Sequence, residues 1–381
     1  MGLASVNPLV ATYTKYLNTS AELTGLLAGM FYGIALLLRP FTGPALTKFD
    51  KRKLLIMTFV LGAFANTGYA VFQSVPAFTA FRIVSGIQFS LVGVLTMTLC
   101  ANNLPKEKMT YGMGILGVGG SIGFALAPWF GETILQFGID FRGENLGFTL
   151  MFLFGALMFV LGVIPAVMID PDRRTGETLA DTGAWYKNIF SIHALLSAGM
   201  LFLGFLSYAI IQTYTFEFGR QYSISGISTF FLVLSLVTAI SHILSGYLND
   251  RIGVRKMLFP ALFVYAVAML VIGESRSLWM LLISAVLTAV GFGLAIPALQ
   301  AMGVQSEPMP KRGVASNTIY IGLDMGLFLG PYLGGLIYAH TVDYSIMFRT
   351  GAIPVVIAMI CLAAFLPVHN RRIKELETLQ R

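Results

Sequence analysis

Asp324 stands alone in the run Tyr320-Ile-Gly-Leu-Asp-Met-Gly-Leu-Phe-Leu-Gly-Pro331, with no other Asp, Glu, Lys or Arg from 313 to 342. A carboxylate at the centre of an apolar helix costs roughly 2.5–3.5 kcal/mol on insertion scales, so it is rarely retained without use. At such a depth a carboxyl can take and release a proton near neutral pH, which is coupling chemistry. Its alternative role is a structural hydrogen bond to a neighbouring helix. Arg82 is the only charged residue of the apolar stretch 77–101. It suits an anionic group or a proton-repelling role near a coupling site, against a structural role in bonding backbone carbonyls. Gly322, Gly326, Gly330 and Gly334 recur every fourth residue around Asp324. That spacing makes one small-residue stripe suited to close packing, and Asp324 lies about 200° round the helix from it.

Further polar residues sit inside apolar stretches: Asn7, Gln88, Gln212, Tyr214, His242 and Gln300. Any could line a substrate path, and interhelical hydrogen bonding is the simpler reading for most. Arg39 and His242 each stand four residues before a glycine, Gly43 and Gly246, that opens a basic turn. A long cation there can reach the interface, which is the plainer account of Arg39. Glu22, three residues after Thr19, reads as a capping box rather than a transport group. The histidines 193, 242, 340 and 369 are too scattered for a metal centre, and Cys100 and Cys361 form no ligand cluster. No phosphate-cradling Gly-rich loop ending in Lys-Ser or Lys-Thr is present, so neither ATP nor another cofactor is expected.

These residues need elements to position them. The chain is 56% hydrophobic and 11% charged, with mean hydropathy +0.77. Soluble domains carry about 25% charged residues, so a bilayer is the expected solvent. Spans are expected at roughly 21–46, 54–73, 77–101, 111–135, 146–169, 189–216, 226–248, 257–273, 278–303, 312–340 and 344–367. Residues 2–17 are too short for a full span and read as the outer half of a clipped first helix. The fold class is thus all-α integral membrane, about twelve helices in two six-helix halves.

Lys and Arg crowd the turns at 48–53, 106–108, 173–187, 251–256, 311–312 and 371–381, leaving Lys15, Arg142, Arg220, Arg276 and Arg349 on the other side. The positive-inside rule places the crowded side, including the C-terminus, in the cytoplasm. It also accounts for the net charge of +7 without nucleic acid. The polar stretch 170–188 reads as a linker between halves 1–169 and 189–381.

Residues 43–53 and 246–256 follow apolar stretches in the two halves and open similar basic turns. The second reads G-x-L-x-D-R-x-G-x-R-K, with Gly246, Asp250, Arg251, Gly253 and Arg255 in place. It resembles the signature loop of the major facilitator superfamily. Arg82-x-x-x-Gly86 resembles that family's Arg-bearing motif. Gly326-x-x-x-Gly330-Pro331-x-x-Gly334 resembles its Gly-Pro motif, with a looser copy, Gly123-x-x-x-Ala127-Pro128-x-x-Gly131, in the fifth span. The first loop copy departs from the pattern, with Thr47 where the family places Asp and Asp50 where it places Gly.

The resemblance implies two bundles that rock about a midplane substrate site, with the Asp250–Arg251 loop in the cytoplasmic gate. It implies a monomeric multi-pass transporter of the cell membrane, not an enzyme, driven by an ion gradient. Proton-coupled efflux of a small molecule is the leading expectation. An importer of an organic anion, sugar or similar nutrient, by proton symport or uniport, is the first rival. A non-transporting membrane sensor is the second.

Overall fold

The computed structural model describes residues 2–48, 50–103, 109–169, 190–252, 254–307 and 312–379. Among them, the chain is helical apart from short turns. In order these are α1 (Gly2–Val6), a 3-10 turn (Asn7–Leu9), α2 (Val10–Tyr16), α3 (Ala21–Lys48), α4 (Lys51–Val71), α5 (Val75–Asn103), α6 (Met109–Arg142) and α7 (Glu144–Met168). Then follow α8 (Leu195–Gln221), α9 (Ser228–Ile252), α10 (Val254–Glu274), α11 (Leu278–Gln305), α12 (Arg312–Thr341), α13 (Tyr344–Thr350) and α14 (Ala352–Leu379). The first two helices run on through the 3-10 turn, and α13 and α14 are parted only by Gly351, so the described helices make twelve rods. Ten are long and apolar enough to cross a hydrocarbon core. Large apolar side chains such as Leu37, Phe64, Phe137, Ile164, Ile243 and Trp279 are exposed, as a lipid solvent requires.

Local chemistry sets the helix ends. Asp50, the residue that departs from the loop pattern, caps α4 by accepting from Lys53 N at 3.1 Å. Ser277 caps α11 in the same way through Met280 N. The N-cap hydrogen bond falls on Ser20, one residue after the Thr19 expected to cap. Ser20 Oγ accepts from Leu23 N, while Thr19 Oγ1 bonds back to Thr14 O. The seventh expected span also shifts, from 189–216 to α8 at 195–221. Ser191 Oγ holds Ala194 N in the turn before the helix, and the i,i+3 pair Glu217–Arg220 lets α8 run past the apolar stretch. The fifth rod continues to Arg142 because Gly138 and Gly147 bring α6 and α7 into backbone contact around the tight turn at Gly143, φ +90°.

The chain divides into two compact units, Met1–Asp181 and Thr182–Arg381. The linker expected at 170–188 lies outside the described residues. In the first unit, α1 packs on α6 and α7, α3 on α5, and α4 on α5 and α7. In the second, α8 packs on α12 and α14, α9 on α11, and α10 on α11 and α14. Counted by rods, the neighbour scheme is the same: first on fifth, second on fourth, third on fourth and sixth. The internal repeat is therefore one of packing as well as of sequence.

Candidate functional site

In the first unit the polar centre is Arg82, one of the largest fully buried side chains in the protein. Three sequence features bring it there. Gly86, one turn on, lets α5 approach α3: a Cβ at that position would come under 3.0 Å from Ile34 and from Phe31 O. Pro8 lacks an amide hydrogen and sits in the 3-10 turn between α1 and α2. Asn7, in that same turn, presents its Oδ1 to Arg82 Nη1 at 3.1 Å. The guanidinium carbon stands 5.0 Å from the Phe31 ring centre and 5.2 Å from that of Phe78. Tyr69, whose hydroxyl shares a 2.7 Å hydrogen bond with Ser85 Oγ, and Tyr32 are close enough to act on the charge. Arg82 Nε and Nη2 are buried with no hydrogen-bond partner among the described residues.

Burial of an ion carries an effective penalty of several kcal/mol. A desolvated cation–π contact returns about 2 kcal/mol and a neutral hydrogen bond to a charge about 1.5–3 kcal/mol. One carboxamide, two rings and the nearby Tyr69 hydroxyl thus return an amount of the same order as the penalty, but none of them brings a negative charge to Arg82. Behind it, Tyr13 makes edge contacts with Phe78, Phe148 and Phe152, closing that side with aromatic packing. Neither Tyr13 nor Tyr69 stands out from its neighbours in sequence, because a Tyr among Phe residues reads as core.

In the second unit Asp324 is fully buried on α12. The stripe beside it faces α8: a Cβ at Gly322, Gly326 or Gly330 would come under 3.0 Å from Ala198 O, Phe202 O or Leu206 O respectively. Gly334 abuts the Tyr214 ring. Tyr214 is itself buried and donates to Pro331 O at 2.8 Å, stapling α8 to the Gly-Pro motif. In the first unit Gly131 of the looser motif meets Ser5 O of α1 in the same manner, with Pro128 buried one turn earlier. Gly123 is also buried in α6.

The other polar residues are dispersed. Gln212 Nε2 donates to Tyr208 Oη at 2.8 Å, and the Tyr208 ring lies parallel to Phe292, centres 4.1 Å apart. Gln88 is buried with neither amide atom hydrogen-bonded among the described residues. His242 is exposed, and Gln300 and Arg39 are half-buried. The basic-turn residues Gly43 in α3, Gly246 and Asp250 in α9 and Arg255 in α10 lie in helices, but their side chains are outside the described set, as is all of Gly253. Arg251 is exposed, its guanidinium 4.4 Å above the Tyr247 ring. Among the described residues no group of three or more His, Cys, Asp or Glu is placed to hold a metal.

Three polar groups carried no signal in the sequence. Glu217, just past the apolar stretch that ends at 216, is buried in α8 and pairs with Arg220 Nη1 at 2.6 Å. Glu307 accepts from Ser191 Oγ at 2.7 Å and lies 3.0 Å from His193 Nδ1, while Ser191 N donates to Thr318 Oγ1. At the other end of the same unit Asp343 accepts from the Tyr222 hydroxyl at 2.6 Å and from Ser345 N at 2.7 Å. Burial alone would raise the Asp343 carboxyl. The Tyr222 and Ser345 bonds and the nearby Arg276 and Arg349 outweigh it and hold the carboxyl below its ordinary value.

The Major Facilitator Superfamily profile matches residues 1–234 and 194–381. The chain is 21% identical over 362 residues to Multidrug resistance protein 2 of Bacillus subtilis, covering 91% of this chain and 88% of the relative. It is 22% identical over 368 residues to the multi-drug resistance efflux pump PmrA of Streptococcus pneumoniae, covering 90% and 88%. Its fold is similar to the crystal structure of a bacterial homolog of the human lysosomal transporter Spinster, with TM-score 0.77 at 16% identity over 98% of this chain and 94% of that one.

Proposed function

This chain belongs to the Major Facilitator Superfamily, a family of membrane transporters, and on that premise we propose that it exports small molecules across the cell membrane in exchange for protons. The observation that carries the coupling is Asp324, a carboxylate fully buried in a membrane-spanning helix. The export direction draws on the relatives whose names describe multidrug resistance and efflux. Each charge crossing the membrane field is worth about 2.3 kcal/mol per 100 mV, enough for concentrative export. In this reading Asp324 is the proton-carrying group and the Asp250–Arg251 turn belongs to the gate. The protein works as a monomer without a cofactor, with its C-terminus in the cytoplasm.

A second reading, import of an organic anion on the same scaffold, is favoured by the buried cation Arg82. Purified protein in liposomes, with a pH gradient imposed in either sense and a panel of lipophilic dyes and organic acids supplied, separates the two. Proton-driven expulsion supports export, and uptake with protons supports import. Binding without flux would mean a sensor.

A further inference from the structure

We propose that Arg82 is a docking point for a carboxylate group, so that the small molecules this protein binds include organic acids held through that charge. A guanidinium offers two N–H bonds along one edge, from Nε and Nη2, and that edge matches the two oxygens of a carboxylate in a paired, bidentate contact. In this protein the remaining nitrogen, Nη1, is taken by Asn7 Oδ1 at 3.1 Å. The Nε–Nη2 edge is buried and makes no hydrogen bond among the described residues. Asn7 thus orients the cation while its carboxylate-matching edge makes no hydrogen bond of good geometry among the described residues.

The surroundings reinforce the match. The rings of Phe31 and Phe78 flank the guanidinium at 5.0 and 5.2 Å, stabilising its charge without supplying an acceptor. The Tyr69 hydroxyl shares a hydrogen bond with Ser85 Oγ and lies close enough to Arg82 to act on its charge, but it is a neutral group that supplies no counter-ion. A neutral ligand would bring the cation no counter-charge, whereas an acid would neutralise it. Arg82 is 1% exposed, so the acid gains access in a conformation that opens this part of the first unit. Asn7 is a positioning residue: it sets which edge faces the ligand.

The inference rests on the transporter reading only for the idea that the ligand is a small molecule. It requires no pH gradient and no role for Asp324. The test is therefore equilibrium binding to the detergent-purified protein. Benzoate, 1-naphthoate and indole-3-acetate are each compared with their carboxamides, which keep size and shape but lack the charge. The expected result is a preference of about tenfold or more for at least one acid over its amide, the worth of a charged hydrogen-bonded pair. That preference should vanish in Arg82→Gln and persist in weakened form in Arg82→Lys, whose ammonium is a point charge without the paired edge. Equal binding of every acid and its amide to the unmodified protein overturns the proposal, and so does an acid preference that survives Arg82→Gln. The unmodified-protein comparison decides the matter even if neither variant folds. Absence of proton-driven flux in the unmodified protein, with the acid preference intact, would instead count against the proton-coupled export reading and leave this proposal standing.

Discussion

Asn7 and Arg82 are joined by a 3.1 Å hydrogen bond from the guanidinium Nη1 to the carboxamide Oδ1. The bond links the 3-10 turn of the first rod to the second turn of α5 and gives a buried cation a neutral acceptor. Asn7→Ala should therefore cost about 1–3 kcal/mol, the penalty of a buried donor left unmade. The measurement is the melting temperature of the purified protein in detergent. An unchanged midpoint would mean that the bond contributes nothing.

Asp324→Asn keeps the shape of the side chain and removes its proton chemistry. Flux driven by a pH gradient should fall to the level of protein-free liposomes, while substrate exchange without a gradient is little changed. If the variant still concentrates or expels substrate at the normal rate, Asp324 is a structural residue.

Gly326 and Gly93 should respond in opposite directions. A side chain at Gly326 runs into the α8 backbone at Phe202, so Gly326→Val should destabilise by about 1–3 kcal/mol or more. A Cβ at Gly93 meets nothing within 4 Å, so Gly93→Ala should be neutral or gain up to about 1 kcal/mol from helix propensity. Thermal unfolding of the two variants tests the pair, and equal effects would contradict the packing of α12 on α8.

Asp343 provides a pH-dependent element. Its folded-state carboxyl is held below the ordinary value despite partial burial. The stabilisation it contributes is fully present above the unfolded carboxyl value, about 3.9, and is lost as pH falls through the lower folded value. Asp343→Asn should lower stability at pH 7 by about 1 kcal/mol after allowance for solvent screening, with the difference closing below about pH 4. A deficit that stays constant down to pH 3 would assign the effect to shape instead of charge.

Much of the architecture was legible because hydrocarbon imposes a length and an apolar content on every span. The run around Asp324 and the Gly322–Gly334 stripe could be placed on one helix from spacing alone. What spacing could not supply was partnership. Asn7 and Arg82 are 75 positions apart and meet only because the first rod bends at Pro8. The expected span stops at 216 because an apolar count ends at a charge, yet α8 continues to Gln221 with Glu217 paired to Arg220. Thr19 and Ser20 are equally plausible caps by type, and only the turn decides that Ser20 takes the role. Asp50 broke a motif in sequence but supplies the cap of α4 in the structure.

At Gly322, Gly326 and Gly330 the main chains of α8 and α12 approach with no layer of side chains between them. Such a seam has nothing compressible in it, so the two rods travel as one beam. On the reading that Asp324 carries the proton, any displacement of α12 that follows its charge is carried by α8 as well, inside a single bundle.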